Sequence, residues 1–255
     1  MNKISPANMK LLLITLGAIA ALTCTVGNAS AANKKVICLN LVGDLFDKAE
    51  VLLSDRGLKI KNRLGCIYWS QEKPDFFYLV NPENQTYYEE SAKEYVHHLR
   101  QDSTALKYTR IERQPKALLE GMKADLVTAF LSNKKGQEVK VAEIKCLKNT
   151  GLPASVNHIW CTLIGLPEKD FSLPVDVFQS VRNWNSQDAF KSGRQKWVQV
   201  LSVRNVGRKT VAETLLTVPA NYKAAKDKAS LYLSTDGDLK EKDLEDFFRS
   251  TPKKK

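Results

Sequence analysis

Four cysteines follow Ala31, namely Cys38, Cys66, Cys146 and Cys161, and a fifth, Cys24, precedes it. An even set suggests disulfides wherever a chain leaves the reducing cytoplasm. The sequence has no C-x-x-C pair and no Cys–His cluster at zinc spacing, so metal binding is not indicated. Cys146 and Cys161 flank residues 147–160, with Gly151, Leu152 and Pro153 near the centre. If the flanking segments pair as a hairpin about residues 153 and 154, these two cysteines fall opposite each other. Opposite Cα atoms lie ~4.5–5.5 Å apart, within the reach of a disulfide. Closing a loop of about 15 residues stabilises a fold by roughly 3 kcal/mol in the chain-entropy model. Cys38 and Cys66 then form the second pair by elimination. Buried free thiols are the competing reading.

Signatures of catalysis are missing from the sequence. There is no G-x-S-x-G elbow, no P-loop and no G-x-G-x-x-G turn. Of the three histidines, His97 and His98 are adjacent and His158 sits in an expected turn, so none has a legible partner for acid–base work. The acidic groups Glu89/Glu90 and Asp243/Glu245/Asp246 read as solvated surface. Trp69, Trp160, Trp184 and Trp197 could stack on sugars, although core packing is the commoner use of indoles. Asn84-Gln85-Thr86 matches a glycosylation sequon at a turn tip. No catalytic residue, metal ligand or cofactor is assigned.

The N-terminus carries the clearest signal. Lys3 and Lys10 precede an apolar run over residues 11–22, and Ala29-Ser30-Ala31 fits the A-x-A rule, so residues 1–31 read as a signal peptide cleaved between Ala31 and Ala32. The run is shorter than the ~20 residues of a spanning helix, and Ala21-Leu22-Thr23 is a poor approach to a lipidated Cys24. The expected location is the periplasm or the medium. Cleavage takes 31 of 255 residues, leaving 224 as a single α+β domain over residues 32–255, with a frayed basic tail at 250–255. Two of the 39 basic residues and none of the 28 acids are lost with it, so the remaining charge is +9. For an exported chain this favours an anionic membrane surface or acidic polymer over nucleic acid. Scattered groups such as Lys59/Lys61/Arg63 and Arg204/Arg208/Lys209 also suit a plain solvated surface.

These residues need elements to hold them. Alternation predicts strands over residues 35–42 and 66–70, and hairpins over residues 51–61 (VLLSDRGLKIK) and 75–90 (DFFYLVNPENQTYYEE). A helix over residues 42–53 competes with the first hairpin. The second is apolar on both faces, because Phe76, Tyr78 and Val80 oppose Phe77 and Leu79; some other segment must cover its second face. Residues 91–100 predict a short helix. Pro115 suits the first turn of a helix reaching about Asp125, followed by a hairpin turning at Lys135-Gly136. Residues 159–164 read as a strand, and Pro174 starts a second helix with an apolar stripe at Val177/Phe178, Val181 and Trp184. Strands resume over residues 197–203 (WVQVLSV), turn over residues 205–208, and run to Val218. Asp238 could cap a last helix bearing Leu244, Phe247 and Phe248. The sum is an α+β fold, a strongly curved antiparallel sheet forming an incomplete barrel, with two or three helices packed on or inside it.

In this order of parts the chain resembles the periplasmic lipoprotein-carrier superfamily and the exported domains that share its fold. The resemblance rests on FYLVNPENQTYYEE (residues 77–90), on the helix insertion, on VAEIKCLKN (141–149) with IWCTLIGLP (159–167), and on ETLLTVPANYK (213–223). It spans residues 51–223 as a pattern of strands and turns, without a motif that carries functional residues across. It implies an incomplete barrel around an apolar cavity.

The sequence therefore points to an exported, non-catalytic binding protein that holds a lipid, acyl chain or other apolar ligand in the cleft of a curved sheet. An enzyme acting on envelope polysaccharide and a structural or interaction module of the envelope are the alternatives.

Overall fold

The computed structural model describes residues 32–43, 46–100, 108–119, 121–166, 171–180 and 197–232. Its strands and helices belong to a compact unit that begins at Asn33. Six strands come first: β1 (Asn33–Gly43), β2 (Asp47–Leu53), β3 (Gly57–Asn62), β4 (Gly65–Ser70), β5 (Lys73–Asn81) and β6 (Thr86–Ser91). Helix α1 (Ala92–Arg100) leads to β7 (Arg110–Leu119), β8 (Met122–Ser132) and β9 (Glu138–Leu147). Helix α2 (Ala154–Leu163), β10 (Leu173–Ser180), β11 (Trp197–Ala212), a 3-10 turn (Glu213–Leu216), β12 (Lys223–Ala224) and α3 (Lys228–Tyr232) follow.

The strands form one open sheet ordered β12-β6-β5-β4-β3-β2-β1-β11-β10-β9-β8-β7. Every pairing is antiparallel except that of β12 with β6, so the sheet is mixed rather than wholly antiparallel. Twelve strands laid flat would span about 50 Å at 4.7–4.9 Å per step. Yet Leu79 of β5, Ile37 of β1 and Val127 of β8 belong to one buried cluster, together with Tyr95, Trp160 and Leu231 of the three helices. The sheet curves over its helices to bring them together.

Local chemistry explains most of these elements. Ile37, Leu39 and Leu41 alternate toward the helices with Leu53, Val51 and Ala49 opposite them, whereas Val36, Cys38 and Leu52 face the other way. The Ser54 hydroxyl accepts from the N–H groups of Arg56 and Gly57 at 3.1 Å and closes the β2–β3 turn. The Asn81 side chain accepts from Glu83 N–H at 2.9 Å and does the same for β5–β6. Ser91 caps α1, accepting from the Glu94 N–H at 3.2 Å and donating to its carboxylate at 3.0 Å.

The doubly apolar β5–β6 hairpin has its answer here. Phe77 and Leu79 enter the main core, where the Phe77 and Tyr95 rings lie 4.6 Å apart. Val80 and Tyr78 pack on the outer face with Cys66, Tyr68 and Tyr87, under Val218 and Tyr222 of the proline-bearing loop.

Several sequence expectations fail, among them the strand to Val218, which ends at Ala212 before a 3-10 turn. Pro115 lies in β7 rather than in a helix; among the described strands β7 borders only β8, and an edge strand tolerates a residue with no N–H. Residues 159–164 are helical: Val156, Ile159, Trp160 and Leu163 make one buried stripe of α2. Pro174 begins a strand instead of a helix, because β10 is paired on both sides by β9 and β11. β11 continues through the expected turn at residues 205–208, with a register shift opposite Asn40 and Leu41. Val181, Trp184, Asp238 and the tail at 250–255 lie outside the described residues.

The expected disulfides are not formed, and all four thiols are buried. Cys146 is the penultimate residue of β9 and Cys161 lies in α2, so no ladder places them opposite each other. Cys38 and Cys66 lie on β1 and β4, three strand spacings or about 14 Å apart, well beyond disulfide reach.

Candidate ligand-binding cleft

The site grows out of the pairing of β1 with β11. Ile37 opposes Arg208 and Lys35 opposes Thr210, so all four share one face of the ladder. That face is the helix-bearing one, because Ile37 is part of the main core. Lys34 and Lys209 alternate to the outer face, where they pair with Asp55 (3.6 Å) and Glu50 (3.2 Å).

Beyond the ends of β1 and β2 lies a cleft of about 710 Å³, floored by Ile37 and Leu53 and walled by Thr150, Gly151 and Leu152. Leu152 packs against the main core. The wall's backbone is bent by two left-handed residues, Asn149 just before it (φ 52°) and Gly151 at its centre (φ 73°). Arg208 Nη2 donates to the Asn149 carbonyl at 3.2 Å and ties this wall to β11. A second cleft, of about 470 Å³, lies on the other side of Arg208 between Lys123, Lys148 and Gly207. Lys148 pairs with the buried Asp125 at 3.0 Å, while Lys35 and Lys123 have no ion-pair partner among the described residues. The mouth is thus apolar below and cationic at its rim.

A second polar cluster lies deeper. Glu90 is 4% exposed and turned toward the helices, opposite Phe77. It is held by Lys228 Nζ (3.1 and 3.0 Å) and by His98 Nδ1 (2.8 Å). Its sequence neighbour Glu89 is exposed on the opposite face, so the two do not form a working pair. Burial, followed by the nearby Tyr232 and Glu90, raises the Tyr95 phenol above its usual range.

Other candidates from the sequence are scattered. Trp160 and Trp69 are core residues whose indole N–H groups donate to the carbonyls of Pro174 (2.8 Å) and Pro74 (2.9 Å). Trp197 stacks on Phe178 at 5.3 Å, and Trp184 lies outside the described residues. His158 is an exposed residue of α2. Asp243, Glu245 and Asp246 lie outside the described residues, as does Ala31, while Ala32 is exposed. Cys38 donates to Glu50 at 3.4 Å on the outer face, and burial, reinforced by Glu50, raises its thiol pKa. Burial, then Cys161, pushes the Cys146 thiol up to about 12, which leaves it a poor nucleophile. No group of three or more His, Cys, Asp or Glu suited to a metal occurs among the described residues.

Sequence reasoning missed the cleft. The inward parity of Lys35 could be read from its alternation with Ile37, Leu39 and Leu41, but no local signal joins it to Arg208. No protein-family model matches the chain, and no curated protein matches it significantly. No described helix is long and apolar enough to cross a membrane.

Proposed function

We propose that this is an exported, non-catalytic binding protein. In this reading its sheet is an incomplete barrel like that of the periplasmic lipoprotein-carrier superfamily, and it receives a lipid or acyl chain at the open end. The observation that carries it is the cleft beyond β1 and β2, whose apolar floor of Ile37 and Leu53 is continuous with the main core under the helices. Its volume falls within the range of small-molecule sites. The two buried carboxylates among the described residues, Glu90 on β6 and Asp125 on β8, are each paired with a lysine, Lys228 of α3 and Lys148 just after β9, so neither is offered as an acid or base. The net positive charge suits transfer at an anionic membrane surface.

Mass spectrometry of organic extracts from purified protein lacking residues 1–31 tests this. A lipid recovered near one per chain, and exchanged by added lipid, supports the reading. Protein free of lipid that also takes up none from vesicles leaves a structural or interaction module of the envelope as the function.

A further inference from the structure

The charge at the cleft rim selects among apolar ligands. Lys35 and Arg208 lie on the same face of the β1–β11 ladder as diagonal neighbours, since Lys35 opposes Thr210 and Arg208 opposes Ile37. Diagonal side chains of this kind start ~7–8 Å apart. That spacing lets two long cationic side chains close on a single carboxylate or phosphate.

Among the described residues neither charge is answered by an acid. Lys35 has no partner among the described residues, and the hydrogen bond of Arg208 goes to the neutral Asn149 carbonyl. The neighbouring Lys34, Lys209 and Lys148 are each matched by a carboxylate. Asp55, the acid lining this cleft, is the group that pairs with Lys34. Uncompensated cations beside an apolar floor match an amphiphile whose head is anionic.

We infer that Lys35 and Arg208 seat the anionic head group of an amphiphilic ligand, with its chain directed onto Ile37, Leu53 and Leu152. Arg208 then acts twice: free of ligand it holds the Asn149 wall, and with ligand it turns donors to the head. This inference rests on the apolar-ligand reading above, and it adds the chemistry of the head.

Displacement of the neutral dye Nile red by oleate, by uncharged monoolein and by acetate tests both parts. Oleate is expected to displace dye at about tenfold lower concentration than monoolein, the value of a charge-assisted contact. Acetate is expected to displace none. The double variant Lys35→Gln/Arg208→Gln should close the gap while leaving monoolein unchanged. Lys59→Gln/Lys61→Gln, which removes the same charge from the opposite face of β3, should preserve it. Should the double variant fail to fold, Lys35→Gln alone must narrow the gap about threefold. Equal displacement by oleate and monoolein, or an unchanged gap in the double variant, overturns the head-group site and leaves the apolar reading intact. Displacement by acetate shows a free-anion site and overturns the amphiphile. If neither lipid displaces bound dye, both readings fall.

Discussion

Lys228 Nζ lies 3.1 and 3.0 Å from the two carboxylate oxygens of Glu90, joining the first residue of α3 to the helix-bearing face of β6. Glu90 is 4% exposed, whereas the Lys228 side chain is 43% exposed. The carboxylate therefore carries the burial cost, and the lysine can return to water. Lys228→Ala, which leaves that buried charge with the His98 ring alone at 2.8 Å, is expected to destabilise the fold by about 1–3 kcal/mol, and Glu90→Gln by less. Urea unfolding of the single and double variants measures this, and additive effects would deny the coupling.

Trp160 has no exposed surface, stacks on Phe46 at 6.1 Å and donates to Pro174. Trp160→Ala should cost roughly 3–5 kcal/mol. Trp160→Phe, which mainly removes the indole donor, should cost about 1–3 kcal/mol. Thermal unfolding with the two variants side by side separates packing from hydrogen bonding.

Gly57 opens β3 where the strand passes close to β4. A Cβ there would sit 2.1 Å from the Trp69 carbonyl oxygen, a backbone atom that cannot swing aside. Gly57→Ala should therefore destabilise by roughly 1–3 kcal/mol through displacement of the β3–β4 pair. Amide exchange confined to residues 57–70 would rise first. Gly136→Ala provides the contrast, because its added Cβ meets nothing within 4 Å and only its φ of 75° is strained.

With Cys38, Cys66, Cys146 and Cys161 all buried as thiols, a thiol reagent should react slowly with folded protein and titrate all four after denaturation. The folded pKa of Cys146 is about 12 against 9.0 in the unfolded chain. The folded state therefore holds a proton that the unfolded state gives up between these values. The resulting stability is complete below pH 9 and declines toward pH 12, by at most about 4 kcal/mol. Denaturant midpoints between pH 8 and 11 should fall more steeply in the parent than in Cys146→Ala. Identical slopes would show that this thiol is not the group responsible.

The sequence by itself determined β1, β4, the β5–β6 hairpin and α1, while it left a helix over residues 42–53 in competition with β2. In β1 to β6 short runs rich in β-branched and aromatic residues mark the strands, and Ser54, Asn81 and Ser91 mark turns and a cap within a few residues of where they act. The interactions that decide these elements are short-range, and a short window contains them. β7, α2 and β10 were decided at longer range. Pro115 suits a helix start or an edge strand equally, and the place of β7 at the end of the sheet order among the described residues chooses between them. Residues 159–164 are apolar enough for a strand, and Pro174 suits a helix start. Burial of the Val156/Ile159/Trp160/Leu163 stripe goes with the first being a helix, and pairing of β10 with β9 and β11 with the second being a strand. The cysteine pairing failed for the same reason, since it assumed a ladder where the chain instead makes a loop and a helix. The cleft belongs wholly to the tertiary structure. Lys35 stands near the start of the domain and Arg208 near the end of the sheet, and hydrogen bonding between β1 and β11 is what brings their charges onto one face.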